Sequence, residues 1–254
     1  MVFIHVPKAG GESIVENMIK IIPTITHFTH RKHKQHAWEM GKDYIDHYVS
    51  TAPSDLSPES SKPVFLEIHV SSPPFMDIID RLQSWRRNAT ANGVELFVFT
   101  IVREPVSLQL SLFNYNFIKN GKYVGLNSSA INNAMRDQAY ENVQCSFLVH
   151  RWNPWRRWSP EKKDCDLLFD AMKDQIDFAG TTENHQDITE MLKFLLDLPR
   201  NFTFEHTNSA GTNSKASIKY EDMSSETIEL YKNVTLLDYE LHRNIQAEWS
   251  FSYS

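Results

Sequence analysis

The chain has 254 residues, 41% of them hydrophobic and 12% aromatic, which is material for one large core, and we read a single domain over residues 1–254. A net charge of −6 argues against a protein that coats nucleic acid non-specifically, so any polyanion must meet a local basic patch. No apolar run approaches the roughly 18 residues that span a bilayer, and the first residues lead into a strand rather than a charged leader with a cleavage site, so we expect a soluble domain.

In chain order, "VFIHV" (2–6) reads as a short buried strand, and "GESIVENMIKII" follows as an amphipathic helix with Ile14, Met18, Ile21 and Ile22 on one side. Residues 24–62 hold a His-rich stretch, a helix from Ala37 to Tyr48 and a Pro/Ser-rich surface loop. "VFLEIHV" (64–70) is a second strand, "PPFMDIIDRLQSWRRNA" a helix, and "ELFVFTIV" (95–102) a third strand. The spacing then predicts a helix with Pro105 in its first turn and another over Asn132–Val149, before an aromatic, basic, irregular region from His150 to Asp164. A helix near 166–174, a strand "DFAG", a helix over His185–Leu196, a polar loop (207–217) and one final helix from about Ser225 complete the chain. Strands alternating with helices imply an α/β fold, a mainly parallel sheet covered on both faces.

Three stretches carry chemistry. In "HVPKAGGES" the turn from strand to helix combines Lys8, Gly10, Gly11 and Ser13, and exposed amides at a helix start beside an ammonium suit a phosphate or sulfate. Lys8 precedes the glycines, so this is not a Walker A loop, and a glycine-rich helix entry without a ligand is the plainer alternative. Arg103 stands at the end of the third strand, where ligands of open α/β sheets bind, and its fork suits a phosphate dianion. Ser111 lies about two turns into the next helix, on the face that carries Ser107. On "VFLEIHV", Glu67 and His69 project from one face, away from Val64, Leu66, Ile68 and Val70, and a carboxylate beside the imidazole would favour its protonated form and fix its tautomer.

Other features leave alternatives open. "HFTHRKHKQH", with Arg31, Lys32 and Lys34, is a solvated basic face, a glycan contact or a metal site, although no ligand spacing stands out. "HRWNPWRRW" sets Arg151, Arg156 and Arg157 among three tryptophans, as an anionic-sugar contact or a packed connection. Cys145 and Cys165 are a bridge or two buried free thiols. Four glycosylation sequons, at Asn88, Asn127, Asn201 and Asn233, push mildly towards the secretory pathway, since about two or three would arise by chance.

The order Pro-Lys, small residues, then Ser resembles the phosphosulfate-binding loop of sulfotransferases that use 3′-phosphoadenosine 5′-phosphosulfate (PAPS), and Arg103 with Ser111 eight residues later resembles that family's 3′-phosphate motif. The chain is most similar to the heparan sulfate and uronyl 2-O-sulfotransferase branch, with His69-Val70 matching the second His of its His-x-His-Val strand end. Glu67 stands where the first His would be, and Leu112 where an aromatic is frequent. "FAGTTENHQDITEMLKFLL" and "SSETIELYKNVTLLDYELH" also look like that branch.

The resemblance implies a three-layer α/β/α, P-loop-like sulfotransferase fold and transfer from PAPS to a hydroxyl of an acidic polysaccharide in the Golgi lumen, with no metal. Lys8, Ala9, Gly10, Gly11, Glu12 and Ser13 would hold the 5′ end of PAPS, Arg103 and Ser111 the 3′-phosphate, and Lys215 would reach the nucleotide from the late polar loop. His69 would be the base, with Glu67 beside it, and Arg31, Lys34, Arg151, Arg156 and Arg157 would meet the acceptor. Competing expectations are a sulfotransferase for galactose-type or neutral glycans, a non-catalytic glycan-binding relative, and an unrelated nucleotide kinase, which the missing Walker A order disfavours.

Overall fold

The computed structural model describes residues 1–21, 25–56, 62–69, 72–123, 125–150, 159–199, 201–204 and 217–249. Five strands, β1 (Val2–His5), β2 (Thr26–Phe28), β3 (Val64–Ile68), β4 (Val98–Val102) and β5 (Phe178–Thr181), form one sheet. Their order is β2-β3-β1-β4-β5 and every pairing is parallel. The helices are α1 (Gly11–Ile21), α2 (His30–His33), α3 (Ala37–Ser50), α4 (Ile79–Asn92), α5 (Pro105–Phe113), α6 (Ser128–Asp137), α7 (Val143–Val149), α8 (Lys162–Gln175), α9 (His185–Leu195), α10 (Ser225–Val234) and α11 (Leu236–Glu248).

Strand side chains alternate between two faces, and each face has its own core. Val2, Ile4, Val64, Leu66, Ile68, Val98 and Val102 meet apolar residues of α3, α4, α7, α8 and α11. Phe3, Phe65, Phe99, Ile101 and Phe178 meet Ile14, Val15 and Met18 of α1 and Ile188, Met191 and Leu192 of α9. The rings of Phe3 and Phe99 stack across β1 and β4 with centroids 4.6 Å apart. This is the expected α/β/α arrangement. A satellite core joins α5, α6 and α10 through Val106, Phe113, Met135, Met223 and Tyr231.

Three local readings are corrected. The three-residue β2 lies within the His-rich stretch, where its length leaves no periodicity to detect. The single helix expected over Asn132–Val149 is α6 and α7, parted where Asn142 takes a left-handed φ of 41°. Asn142 Oδ1 accepts from Leu237 N at 3.0 Å, so tertiary contact stabilises the break. The single final helix is likewise α10 and α11, parted at Thr235, whose hydroxyl donates to Tyr231 O at 2.6 Å.

Cys145 of α7 and Cys165 of α8 are joined by a disulfide, with Cα atoms 5.8 Å apart and a sequence separation of 20. Closing a loop of that size removes unfolded-state entropy worth about 3 kcal/mol. The double variant Cys145→Ala/Cys165→Ala is therefore expected to lose about that much unfolding free energy, read from a lower urea midpoint. A wild-type midpoint indifferent to reductant would refute this contribution.

Of the sequon residues, Asn127 caps α6 by accepting from Ala130 N at 2.9 Å, Asn88 donates to Ser50 Oγ at 3.2 Å, and Asn201 and Asn233 are exposed. Among the described residues no helix is long and apolar enough to cross a membrane.

Candidate active site

Because all five strands run the same way, the segments that follow them share one edge of the sheet. These are the turn Val6–Gly10 after β1, Thr29–Arg31 after β2, His69 after β3, Arg103 after β4 and Thr182–Glu183 after β5. Ligands of open parallel sheets bind at this edge.

The turn after β1 is shaped by two left-handed residues, Lys8 at φ 65° and Gly10 at φ 79°. Ala9 N donates to Val6 O at 3.2 Å, and Ser13 N donates to Gly10 O at 3.3 Å as α1 begins. A Cβ on Gly11 would lie 2.4 Å from His5 Cδ2, so only glycine lets the helix start rest on the His5 ring. Bare glycines at a helix N-terminus leave amide groups open to an anion.

Lys8 Nζ lies 4.5 Å from the centroid of the Tyr115 ring. Burial lowers its pKa, Glu12 opposes this, and Lys119 and Arg103 add to it, so Lys8 belongs to a cluster of like charges. Arg103 Nη1 donates to Lys8 O at 3.1 Å, which ties the two expected donor-site motifs directly together.

Arg103 is braced from behind. Its N–H donates to Gln144 Oε1 at 2.8 Å, and Gln144 Nε2 donates to its carbonyl at 2.9 Å. The amides of Gln144 and Cys145 donate in turn to Asp238, at 3.0 and 2.9 Å. Burial raises the carboxyl of Asp238 to about 7 against the pull of those amides. Glu104 caps α5 through Val106 N and Ser107 N, at 3.2 and 2.7 Å, and accepts the hydroxyl of Tyr239. Ser111 sits half-buried on α5, one turn beyond Ser107.

At the end of β3 the geometry differs from expectation. Glu67 does not hold His69: its Oε1 meets His5 Nδ1 at 2.5 Å, and its Oε2 accepts from His30 N at 2.9 Å. Burial pushes the Glu67 carboxyl up, but the His5 hydrogen bond and charge, with His69 and the His30 amide, outweigh it and hold Glu67 below its usual range. His69 follows the strand, with its ring centroid 4.5 Å from that of His5 and 5.1 Å from that of His30. Its N–H donates to Ser72 Oγ at 3.3 Å. Burial first, then the neighbouring His5, lowers His69 to about 3 against the pull of Glu67, so the expected protonated form gives way to a neutral ring.

His5, Glu67 and His69 each present one atom of metal-ligand type, all within 4.8 Å of one another. Both Glu67 oxygens are already engaged by the chain's own donors.

The expected acceptor residues fare differently. Arg31 pairs with Glu16 and lies 3.6 Å from Glu12, so two acids of α1 claim it. Lys34 is exposed just after α2. Arg151, Arg156, Arg157, Lys215 and Val70 lie outside the described residues.

The structure also brings in residues that sequence reading passed over: His5 under the donor turn, Tyr115 and Lys119 against Lys8, and Glu183 after β5. Glu183 accepts from Glu104 N at 3.1 Å and meets His242 Nε2 at 3.1 Å. Burial would raise Glu183, but His242, the Glu104 amide and the Thr182 hydroxyl hold it at about 2.

The model of the sulfotransferase family, Sulfotransfer_2, matches residues 1–253. The chain belongs to the sulfotransferase family. A comparison with curated proteins finds no match. Sulfotransferases generally take PAPS as donor, and this sulfotransferase has features that fit such a group. It has a glycine-lined helix start with Lys8 beside it, and Arg103 lies one hydrogen bond away, so a ligand with anions at both ends meets a cation at each.

Proposed function

We propose that this sulfotransferase transfers the sulfuryl group of PAPS to a hydroxyl of a uronic-acid-containing polysaccharide, with 2-O-sulfation the specific reaction and His69 the general base. The observation that carries this reading is the convergence of Lys8, His69 and Arg103 on one sheet edge, with Arg103 bonded to the carbonyl of Lys8.

PAPS supplies a sulfuryl group whose bond to the 5′-phosphate oxygen breaks as the acceptor oxygen bonds to sulfur. The amides of Gly10 and Gly11, with Ala9, Glu12 and Ser13 of the same turn, hold the 5′ end, and Arg103 with Ser111 holds the 3′-phosphate. Lys8 neutralises the charge that develops on the leaving oxygen, as fixed cations do in phosphoryl transfer. His69 is neutral across the physiological range, so its ring is free to take the acceptor proton. Its low proton affinity places that transfer late, once bond formation to sulfur has made the hydroxyl acidic. His5 and Glu67 do not touch the acceptor in this scheme; they pack against His69 and the donor turn.

The sequons and the disulfide support a site of action in the secretory pathway, the Golgi lumen by family likeness. A neutral, galactose-type acceptor is the second reading, favoured by the pairing of Arg31 with Glu16 and Glu12, which weakens the expected basic patch. A panel of neutral and carboxylated acceptors separates the two.

The test of the donor site is titration with 3′-phosphoadenosine 5′-phosphate (PAP). Arg103→Ala is expected to weaken binding by tenfold or more, about 1.4 kcal/mol. A folded wild type that fails to bind PAP would mean that the fold is kept without the donor site, and a glycan-binding role would replace catalysis.

A further inference from the structure

Helix α5 does not end in an ordinary turn. It runs into a π-helical turn over Asn114–Ile118, with Lys119 N donating to Asn114 O and Lys122 N to Phe117 O, both at 2.8 Å and both five residues back. Single π turns inside helices are enriched at functional sites, because the extra residue re-aims the side chains that follow.

Here the re-aimed residues are aromatic and basic. Lys119 Nζ stands 5.1 Å from the centroid of the Tyr115 ring, the ring that Lys8 Nζ approaches to 4.5 Å. Lys122 Nζ stands 5.7 Å from the Phe117 ring, which is anchored in turn against Phe113 and Tyr123. Tyr115 is 47% exposed, and Lys119 and Lys122 are exposed. Among the described residues no carboxylate pairs with Lys8, Lys119 or Lys122.

Two ammonium groups thus stand on one ring, and a third stands on another ring of the same turn. Glu12 favours the charged form of Lys8 while Lys119 disfavours it, and an anion arriving between the two ammoniums relieves their mutual repulsion. In the proposed scheme the glycine turn and Arg103 take the donor's two ends, and Lys119 follows Ser111 beyond the π turn. The cation left over, Lys119, shares the Tyr115 ring with Lys8 and is close enough to act on its charge.

Resting on the reaction proposed above, we propose that Tyr115 and Lys119, with Lys122 behind them, form the acceptor subsite, which takes the carboxylate or sulfate of an anionic sugar. Tyr115 holds the Lys8 and Lys119 ammoniums near one another, so an acid group seated on Lys119 brings the neighbouring hydroxyl up to Lys8 and His69. This subsite takes the place of Arg31, which α1 has claimed.

The experiment measures binding, without turnover. Wild type and Lys119→Ala are titrated with PAP, and then, saturated with PAP, with a uronic-acid-containing oligosaccharide and its carboxyl-reduced form. The expected result is PAP affinity within twofold of wild type, oligosaccharide affinity lowered tenfold or more, and no change for the carboxyl-reduced form. Unchanged PAP affinity also certifies that the variant is folded. If Lys119→Ala weakens PAP as much as the oligosaccharide, Lys119 belongs to the donor and the proposal falls. If the oligosaccharide binds both proteins alike, the subsite is wrong while the acceptor class stands. A wild type that binds PAP but not the carboxylated oligosaccharide overturns the acceptor class and the subsite together.

Discussion

Lys8→Ala is expected to lose sulfuryl transfer, with kcat reduced by roughly 10²- to 10³-fold or more, the range seen when a fixed group that meets developing charge is removed. The geometry adds an internal control. Lys8 adopts a φ of 65°, a region that costs a side-chain-bearing residue about 1–2 kcal/mol. Lys8→Gly should therefore be as inactive as Lys8→Ala yet unfold at higher denaturant than wild type, because glycine relieves that cost. Transfer rates and urea midpoints for the three proteins test both halves. Inactivity with a gain in stability would show that the turn tolerates strain in order to place an ammonium there. Turnover retained by Lys8→Gly would sink the assignment of Lys8 to the leaving oxygen.

His69→Ala is expected to remove turnover, by roughly 10²- to 10⁴-fold, while PAP binds as before, since the proposed scheme gives His69 to the acceptor and Arg103 to the nucleotide. The pH dependence has a definite sign. The His69 pKa in the folded chain, about 3, lies below its ordinary value of 6.5, so the unfolded chain binds the extra proton more readily. Its contribution to stability is whole above pH 6.5 and falls as pH drops from 6.5 towards 3. Replacing His69 by alanine should flatten that part of the stability curve. For catalysis the same depression means that the base is neutral at pH 6 and at pH 8, so a loss of kcat near pH 6.5 that disappears in a His69 variant would contradict this environment.

Local sequence carried much of this site, and the reason is physical. A strand ending in a glycine-rich turn, and an Arg followed by Pro at a helix start, are short-range patterns whose geometry depends on neighbours in the chain. Lys8, Gly10, Gly11 and Arg103 could be placed at strand ends for that reason. The partner of Glu67 could not be. His5 lies 62 residues away, and only the pairing of β1 with β3, Phe3 opposite Glu67, brings them together. Same-face alternation on one strand pointed instead to His69, and burial then reversed the expected protonation.

Tyr115 and Lys119 were not singled out because their neighbour Lys8 comes from the distant turn after β1, and the π turn over Asn114–Ile118 has no local signature in the sequence. The division of α6 from α7 was equally hidden, since Asn142 accepts its left-handed backbone only where α11 begins nearby. The strand β2, three residues among histidines, has no local signature beyond its Phe.

The order of strands carries an evolutionary consequence. Lys8, His69 and Arg103 follow β1, β3 and β4, the three inner strands, each hydrogen-bonded on both sides, whereas Arg31 and Glu183 follow the outer pair, β2 and β5. An insertion after an inner strand disturbs a segment wedged between two others, and one after an outer strand has open space beside it. Chains of this plan have room to lengthen their rims after β2 and β5 while the segments that carry Lys8, His69 and Arg103 keep their places between neighbours.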